Sequence, residues 1–200
     1  MIRPQPLANL AKYVVAPEGM EILRYTYFSR KLISAGVLPA ETQFFADQVG
    51  VGGATSRDTN MTKPSAIGNP RSMLVQFITC AVYNVTAAQV ILAGVAQAAQ
   101  QLLYQTFIRV DLLDKEYLTI PTYMVPAGGG LYVNGVGAAL NALAVSNGTP
   151  EKKNCLNVEL PLEREASFVF RMVSSAATIT LGVDMHIEMA IHGLLLRPRQ

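Results

Sequence analysis

The sequence predicts a mainly β protein, built as an antiparallel β-sandwich with one alanine-rich helix and an extended N-terminal arm. Apolar and polar residues alternate with a period of two through most of the chain after residue 105, which is typical of half-buried strands. Clusters of Gly, Asn, Pro and Ser separate these segments, and helical spacing is clear in only one stretch. Because each strand has one apolar face, two sheets must pack together to bury those faces.

Composition favours a single, well-buried domain. The 200 residues are 50% hydrophobic and 15% charged, and this length suits one compact core. The formal net charge of +2 is too small for a dedicated nucleic-acid binder. Cys80 and Cys155 lie far apart in apolar or strand-like contexts, which predicts two reduced thiols. The sequence shows neither a signal peptide nor an apolar run of ~18 residues, so we expect a soluble protein made in a cytoplasm.

Residues 1–20 predict the arm, and residues 21–200 the sandwich domain. Prolines in the arm disfavour regular structure, so it should lie against another molecule. Its basic residues are able to neutralise phosphates, although scattered charges interrupted by acids are also ordinary for a solvated arm. The residues expected to make assembly contacts are Arg3, Pro4, Pro6 and Lys12.

The first half of the domain begins with two aromatic-rich segments, 21–28 and 42–49, which predict strands. Gly36 and Pro39 break the chain between them. Residues 50–71 have the Gly, Ser, Thr and Asn content of a long surface loop.

A central strand and the helix should follow this loop. Residues 72–85 are apolar on both faces and rich in β-branched residues, which predicts a strand covered on both sides. Thr86 and Gln89 form a candidate capping box. Apolar residues then recur at helical spacing, so a helix is expected over about residues 86–103.

Period-two alternation returns after the helix. Residues 108–112 and 118–124 predict a strand pair joined by a turn at 114–116, with Pro121 keeping the second strand at an edge or bulge. Residues 156–162 and 168–172 predict two more strands. The longest alternation runs from Ile179 to Ile191, and its odd-numbered row should lie in the core.

The even-numbered row of this last segment, in GVDMHIEMAIHG (182–193), raises the question of a metal site. It carries Asp184, His186, Glu188 and His192. Side chains on one strand face lie ~6.5 to 7 Å apart, so they converge on an ion only if a neighbouring strand adds ligands. A polar outer face of a sheet explains the alternation without any ligand. We therefore predict no bound metal, with Asp184, His186 and Glu188 as the candidate ligands to test.

Motifs for catalysis or cofactor binding are not recognisable. The glycine-rich stretch at 128–137 lacks the order of a phosphate loop or a dinucleotide fingerprint. The sequence has only two histidines, and it contains neither a G-x-S-x-G nor an H-E-x-x-H motif. Cys80 sits in an apolar strand, where a thiol is normally inert. The sequence thus predicts a protein that is not an enzyme and binds no cofactor.

Several segments, in order, resemble coat proteins of tailless bacterial viruses. They are the loop FFADQVGVGGATSRDTNMT, the alanine-rich helix, IPTYMVPAGGGLYVNG, the pair VELPLEREASFVFRM and the terminal IHGLLLRPRQ. The resemblance spans roughly residues 40–200 and implies a jelly-roll fold. Double jelly-roll members need about sixteen strands, which exceeds this chain, so a single jelly roll is expected.

The resemblance also implies a function: a structural capsid protein that self-assembles into an icosahedral virus shell. Its partners would be copies of itself and other virion proteins, with weak contact to packaged nucleic acid or an internal membrane through the arm. Few charges and many apolar residues suit a chain that buries surface against its own copies. The alternative is a ligand-binding β-sandwich, carbohydrate-binding or cupin-like, in which loops at one end, with Asp184, His186 and Glu188, hold a ligand or ion. The aromatic residues available to stack on sugars are those of YTYF (25–28), Tyr117, Tyr123 and Tyr132.

Overall fold

The computed structural model describes residues 15–83, 94–125, 157–175 and 178–199. These residues are mainly β, as predicted, with one α-helix, α1 (Val95–Tyr104), and a 3-10 helix (Thr122–Met124). The strands are β1 (Met20–Ile33), β2 (Gly36–Val37), β3 (Glu41–Phe44), β4 (Ser72–Tyr83), β5 (Thr106–Leu112), β6 (Lys115–Pro121), β7 (Asn157–Leu162), β8 (Phe168–Ser174), β9 (Thr180–Leu181) and β10 (Met185–Pro198).

The strands form two four-stranded antiparallel sheets. Sheet A has the order β1-β10-β4-β7, sheet B has the order β3-β8-β5-β6, and β2 pairs with β9 in a small ribbon. Apart from that ribbon, the first strand pairs with the last, the second with the seventh, the third with the sixth and the fourth with the fifth. This nested pairing is one long hairpin folded into two sheets, which is the jelly-roll topology. The predicted single jelly-roll sandwich is therefore confirmed.

Large side chains fill the space between the sheets. Phe44, Phe45, Phe168 and Phe170 are each 0% exposed. The Phe45 ring meets the Phe168 and Phe170 rings edge to face, with ring centroids 5.9 and 5.2 Å apart, an arrangement that aromatic pairs favour. The interior of the described sandwich is thus a packed core.

Strand β10 lies between β1 and β4, so it is hydrogen-bonded along both edges. Its odd-numbered residues Met185, Ile187, Met189 and Ile191 are all 0% exposed. Their burial confirms the prediction that this row belongs to the core. The even-numbered residues point to the outer face of sheet A, because successive side chains of a strand alternate.

The helix prediction needs correction at its start. Gly94, the N-cap of α1, has φ 93°, a left-handed conformation that interrupts an α-helix. A single helix running from 86 to 103 is therefore wrong, and the described helix ends at Tyr104. Thr86, Gln89 and the rest of residues 84–93 lie outside the described residues.

Strand β3 is shorter than the predicted segment 42–49. Phe45 has φ 61°, so the backbone leaves the extended conformation directly after Phe44. That turn places the Phe45 ring in the core and starts the long loop. The predicted strand after β5 also ends early, at Pro121, and Met124 lies half-exposed in the 3-10 helix. Strand β6 is an edge strand, as the position of Pro121 predicted.

The long loop protects part of the edge of sheet A. Thr59 forms an antiparallel bridge with Ser29 of β1. The Asn60 side chain accepts a hydrogen bond from the Phe28 backbone N–H at 2.9 Å and donates one to the Thr26 carbonyl at 2.7 Å. Such cover blocks a sheet edge from pairing with another strand.

Most of the predicted arm, including Arg3, Pro4, Pro6 and Lys12, lies in residues 1–14, outside the described residues. Its described end contacts the domain: Ala16 packs beside Leu74 and Leu196 on sheet A, and the Pro17 carbonyl accepts a hydrogen bond from Met20. Among the described residues, no helix combines the length and apolar character needed to cross a membrane.

Candidate polar site on the outer face of sheet A

The candidate ligands Asp184, His186 and Glu188 each contact other parts of the protein. Asp184 precedes β10, and its carboxylate accepts a hydrogen bond from the backbone N–H of Ala35 at 2.7 Å. His186 stacks on the Tyr83 ring of β4, with centroids 5.5 Å apart and an interplanar angle of 28°. Glu188 accepts a hydrogen bond from the Tyr83 hydroxyl at 3.1 Å.

Tyr83 links this row to β1 and to the long loop. Its hydroxyl also lies 3.5 Å from a donor nitrogen of Arg30. The Arg30 guanidinium reaches Asp58 of the loop at 3.1 Å, with side chains 23% and 38% exposed. A chain of polar contacts therefore runs from Glu188 through Tyr83 and Arg30 to Asp58. It joins three strands of sheet A, β10, β4 and β1, to the loop that covers the edge of the sheet.

Burial and neighbouring charge tune the ionisable groups of this cluster. Burial, followed by the nearby Arg30 cation, lowers the pKa of His186 below 6.5. Hydrogen bonds from the Thr55 hydroxyl and backbone N–H, followed by the contact with Arg30, lower the pKa of Asp58 to about 2. At neutral pH the cluster thus holds neutral imidazole beside a paired guanidinium and carboxylate.

His192 occupies a separate position further along β10. Its Nδ1 lies 2.8 Å from the Thr26 hydroxyl and its Nε2 lies 3.0 Å from the Thr79 hydroxyl. A neutral imidazole donates through one nitrogen and accepts through the other, and a hydroxyl serves either role. The two threonines therefore satisfy His192 without an ion. Burial lowers its pKa below 6.5.

These contacts give the polar row a structural role. In the described part of the chain, no group of three or more His, Cys, Asp or Glu side chains is placed to hold a metal ion. The Cys80 thiol is fully buried on β4, and burial raises its pKa to about 12, which disfavours the reactive thiolate.

The tyrosines considered for sugar stacking fall into different environments. Tyr27 is 2% exposed and meets Tyr25 edge to face at 4.8 Å, so this pair belongs to core packing. Tyr117 donates a hydrogen bond from its hydroxyl to the Glu159 carbonyl at 3.1 Å. Tyr123 stacks on Tyr104. Tyr132 and the glycine-rich stretch 128–137 lie outside the described residues.

A groove of about 400 Å³ lies between β1 and the long loop. Its lining includes two cations, Arg30 and Lys31. Each is already paired with a loop carboxylate, Arg30 with Asp58 and Lys31 with Asp47. These ion pairs attach the loop to the strand.

Sequence reasoning missed an ion-pair ladder on the outer face of sheet B. Asp111 of β5 is only 6% exposed although it points outward. It accepts hydrogen bonds from Arg109 at 2.9 Å and from Arg171 of β8. Arg171 also lies 3.7 Å from Glu41 on β3, and Arg109 lies 3.6 Å from Glu116 on β6. The alternation of Arg109 and Asp111 hinted at a polar face, but the partner strands are visible only in the fold.

The outer surfaces thus carry ordered polar networks, and the space between the sheets is filled by side chains. No protein-family model, curated protein or solved structure matches the chain.

Proposed function

We propose that this protein is a structural capsid protein of a tailless bacterial virus, whose copies assemble into an icosahedral shell. The observation that carries the proposal is the jelly-roll strand order combined with a filled interior. Jelly rolls occur in viral capsid proteins, lectins and cupins. A sandwich whose interior is packed with side chains leaves the outer faces, edges and loops for function.

The alternative, a ligand-binding module, fits these contacts less well. It assigns ligand binding to Asp184, His186 and Glu188, whose side chains are engaged with Ala35 and Tyr83. Using Asp184 and Glu188 for an ion would require breaking their hydrogen bonds to Ala35, which follows β1, and to Tyr83 of β4. As parts of a subunit, the same contacts stiffen sheet A and attach the long loop to it.

In this proposal the protein resides in the virion and its principal partners are its own copies. The N-terminal arm, with Arg3, Pro4, Pro6 and Lys12, reaches neighbouring subunits and makes weak contact with packaged nucleic acid or an internal membrane. Arms that extend onto a neighbour are a common device of symmetric assemblies. The described end of the arm lies against its own sheet A, where Ala16 packs beside Leu74 and Leu196.

The test is the molar mass of the purified chain, measured by size exclusion with light scattering, followed by negative-stain imaging. A closed icosahedral shell of a 21.6 kDa chain has a mass on the order of 1 MDa or more. Closed particles of defined symmetry are the expected result. A folded monomer at all concentrations would refute the proposal and favour the ligand-binding alternative.

A deletion tests the role assigned to the arm. Removing residues 1–14 leaves Ala16 and its packing partners in place, so the subunit should fold with an unchanged circular dichroism spectrum. Shell formation should be impaired. Normal shells from this deletion would contradict the arm's role without affecting the rest of the proposal.

A further inference from the structure

One end of the outer face of sheet B is apolar and exposed. Strand register places Phe107 of β5 between Val173 of β8 and Pro121 of β6, and Phe107 is 36% exposed. Tyr104 ends α1 just before β5 begins, and Tyr123 lies just after β6 ends, so their stacked rings, with centroids 5.4 Å apart, lie at the same end of the sheet as Phe107. We call Tyr104, Phe107, Tyr123 and Met124 the apolar end patch.

The exposed area of this patch can be compared with the area that one side of a protein interface buries. Its four members are 67%, 36%, 47% and 53% exposed, which together equal about two whole side chains. At roughly 200 Å² for each large side chain the patch offers about 400 Å². A standard interface buries about 800 Å² on each partner, so the patch supplies about half of what a stable contact between two copies needs.

The rest of the same face supplies a polar rim. The ion-pair ladder contains the carboxylates of Glu41, Asp111 and Glu116 and the guanidinium groups of Arg109 and Arg171, and each is paired within the chain. A face with mixed, internally paired charges approaches its own copy without strong like-charge repulsion. A face that binds nucleic acid or an anionic membrane would instead present cations that are not paired within the chain.

We propose that the outer face of sheet B is a contact between two copies of this chain, related by a two-fold axis. The apolar end patches meet near the axis and the ladders lie at the rim, the usual arrangement of an apolar interface centre and polar periphery. This inference deepens the proposed function, on which its place in a shell rests. The pairing of two copies itself requires only the surface described above.

The test compares charged substitutions inside and outside the patch. Sedimentation velocity over a concentration series measures the dissociation constant of the wild-type chain and of the double variant Phe107→Glu/Tyr123→Glu. The control is Leu32→Glu, because Leu32 is 56% exposed on the outer face of sheet A, away from the patch. We expect self-association by the wild type and the control, and a dissociation constant at least tenfold higher for the double variant.

A milder variant protects the test against misfolding. Tyr104→Ser/Tyr123→Ser alters two exposed rings and should retain the wild-type circular dichroism spectrum while weakening association in the same direction. Tyrosine nitration gives an independent readout, since Tyr104 and Tyr123 should react more slowly in the associated protein than in the dilute monomer. Equal association by wild type and both double variants would overturn the inference.

The outcomes separate this inference from the proposed function. Patch-dependent pairs without closed particles would support the contact and refute the shell. Closed particles formed equally well by the patch variants would support the shell and refute the contact. A wild-type chain that stays monomeric at all concentrations refutes both the contact and the shell.

Discussion

Gly193 should be the least replaceable glycine among those described. It lies in the middle of β10, opposite Tyr25 of β1 and Val75 of β4, at a register shift in the ladder with β4. A Cβ at this position would lie 1.9 Å from the Leu74 carbonyl oxygen and 2.9 Å from the Val75 Cα. Both neighbours are backbone atoms, so no side-chain rotation relieves the clash.

The cost of Gly193→Ala follows from these distances. Real Cβ contacts are essentially never shorter than 3.0 Å, so the strands must separate by about 1 Å. A shift of ~1 Å takes an N–H···O distance of ~2.9 Å beyond hydrogen-bonding range. Losing about two ladder hydrogen bonds at ~1 kcal/mol each, together with ~1–3 kcal/mol of overpacking, gives about 3–5 kcal/mol.

The assay is thermal unfolding at a fixed protein concentration, because association changes apparent stability. For a chain of this size ~1 kcal/mol lowers Tm by about 2–4 °C, so Gly193→Ala should lower Tm by roughly 6–20 °C. The control is Gly182→Ala, where an added Cβ meets nothing within 4 Å, and its effect should stay within about 1 kcal/mol. A Tm change below about 2 °C for Gly193→Ala would refute the reasoning.

Three further predictions use the same strands. Ile187→Asp should unfold or aggregate the protein, because Ile187 is 0% exposed and an unpaired buried charge costs several kcal/mol. Glu188→Ala should leave the fold intact. Circular dichroism and solubility measurements compare the two variants, and equal effects would contradict the assignment of these residues to opposite faces of β10. In a Cys155→Ser background, Cys80 should react with a thiol reagent only on unfolding, since burial raises its pKa to about 12; rapid labelling of the native chain would contradict its burial. Burial lowers the pKa of His192. Below pH ~6.5 the unfolded chain therefore binds more protons than the folded one, and the free energy of unfolding decreases as the pH decreases. In urea unfolding between pH 7.5 and 5, His192→Gln should lose less stability than wild type; an equal loss would show that other groups cause the acid sensitivity.

The faces of the strands were predictable because side-chain alternation is a local property. A strand directs successive residues to opposite sides, so the apolar row from Ile179 to Ile191 had to face a core once the segment was extended. The residues at which strands end were harder to locate from the sequence. Phe45 leaves β3 in a left-handed conformation, which places its ring against Phe168 and Phe170, and nothing in residues 42–49 signals that turn.

The candidate site likewise depends partly on local pattern and partly on contacts between distant residues. The sequence identified Asp184, His186 and Glu188 as one polar row but contained no information about which residues lie across from them. Their contacts with Ala35 and Tyr83 depend on β10 pairing with both β1 and β4. Those partners are separated from β10 by more than 100 residues along the chain.

The amino-acid sequence by itself determined the mainly β character, the apolar and polar strand faces and the lack of a recognisable catalytic motif, because each follows from local periodicity and residue type. Only the tertiary structure decided which distant strands pair, where Gly94 starts the helix, how Asp111 becomes buried between two arginines and where exposed aromatic rings collect. These features arise from contacts between residues far apart in the chain, and such contacts leave no periodic trace in the sequence.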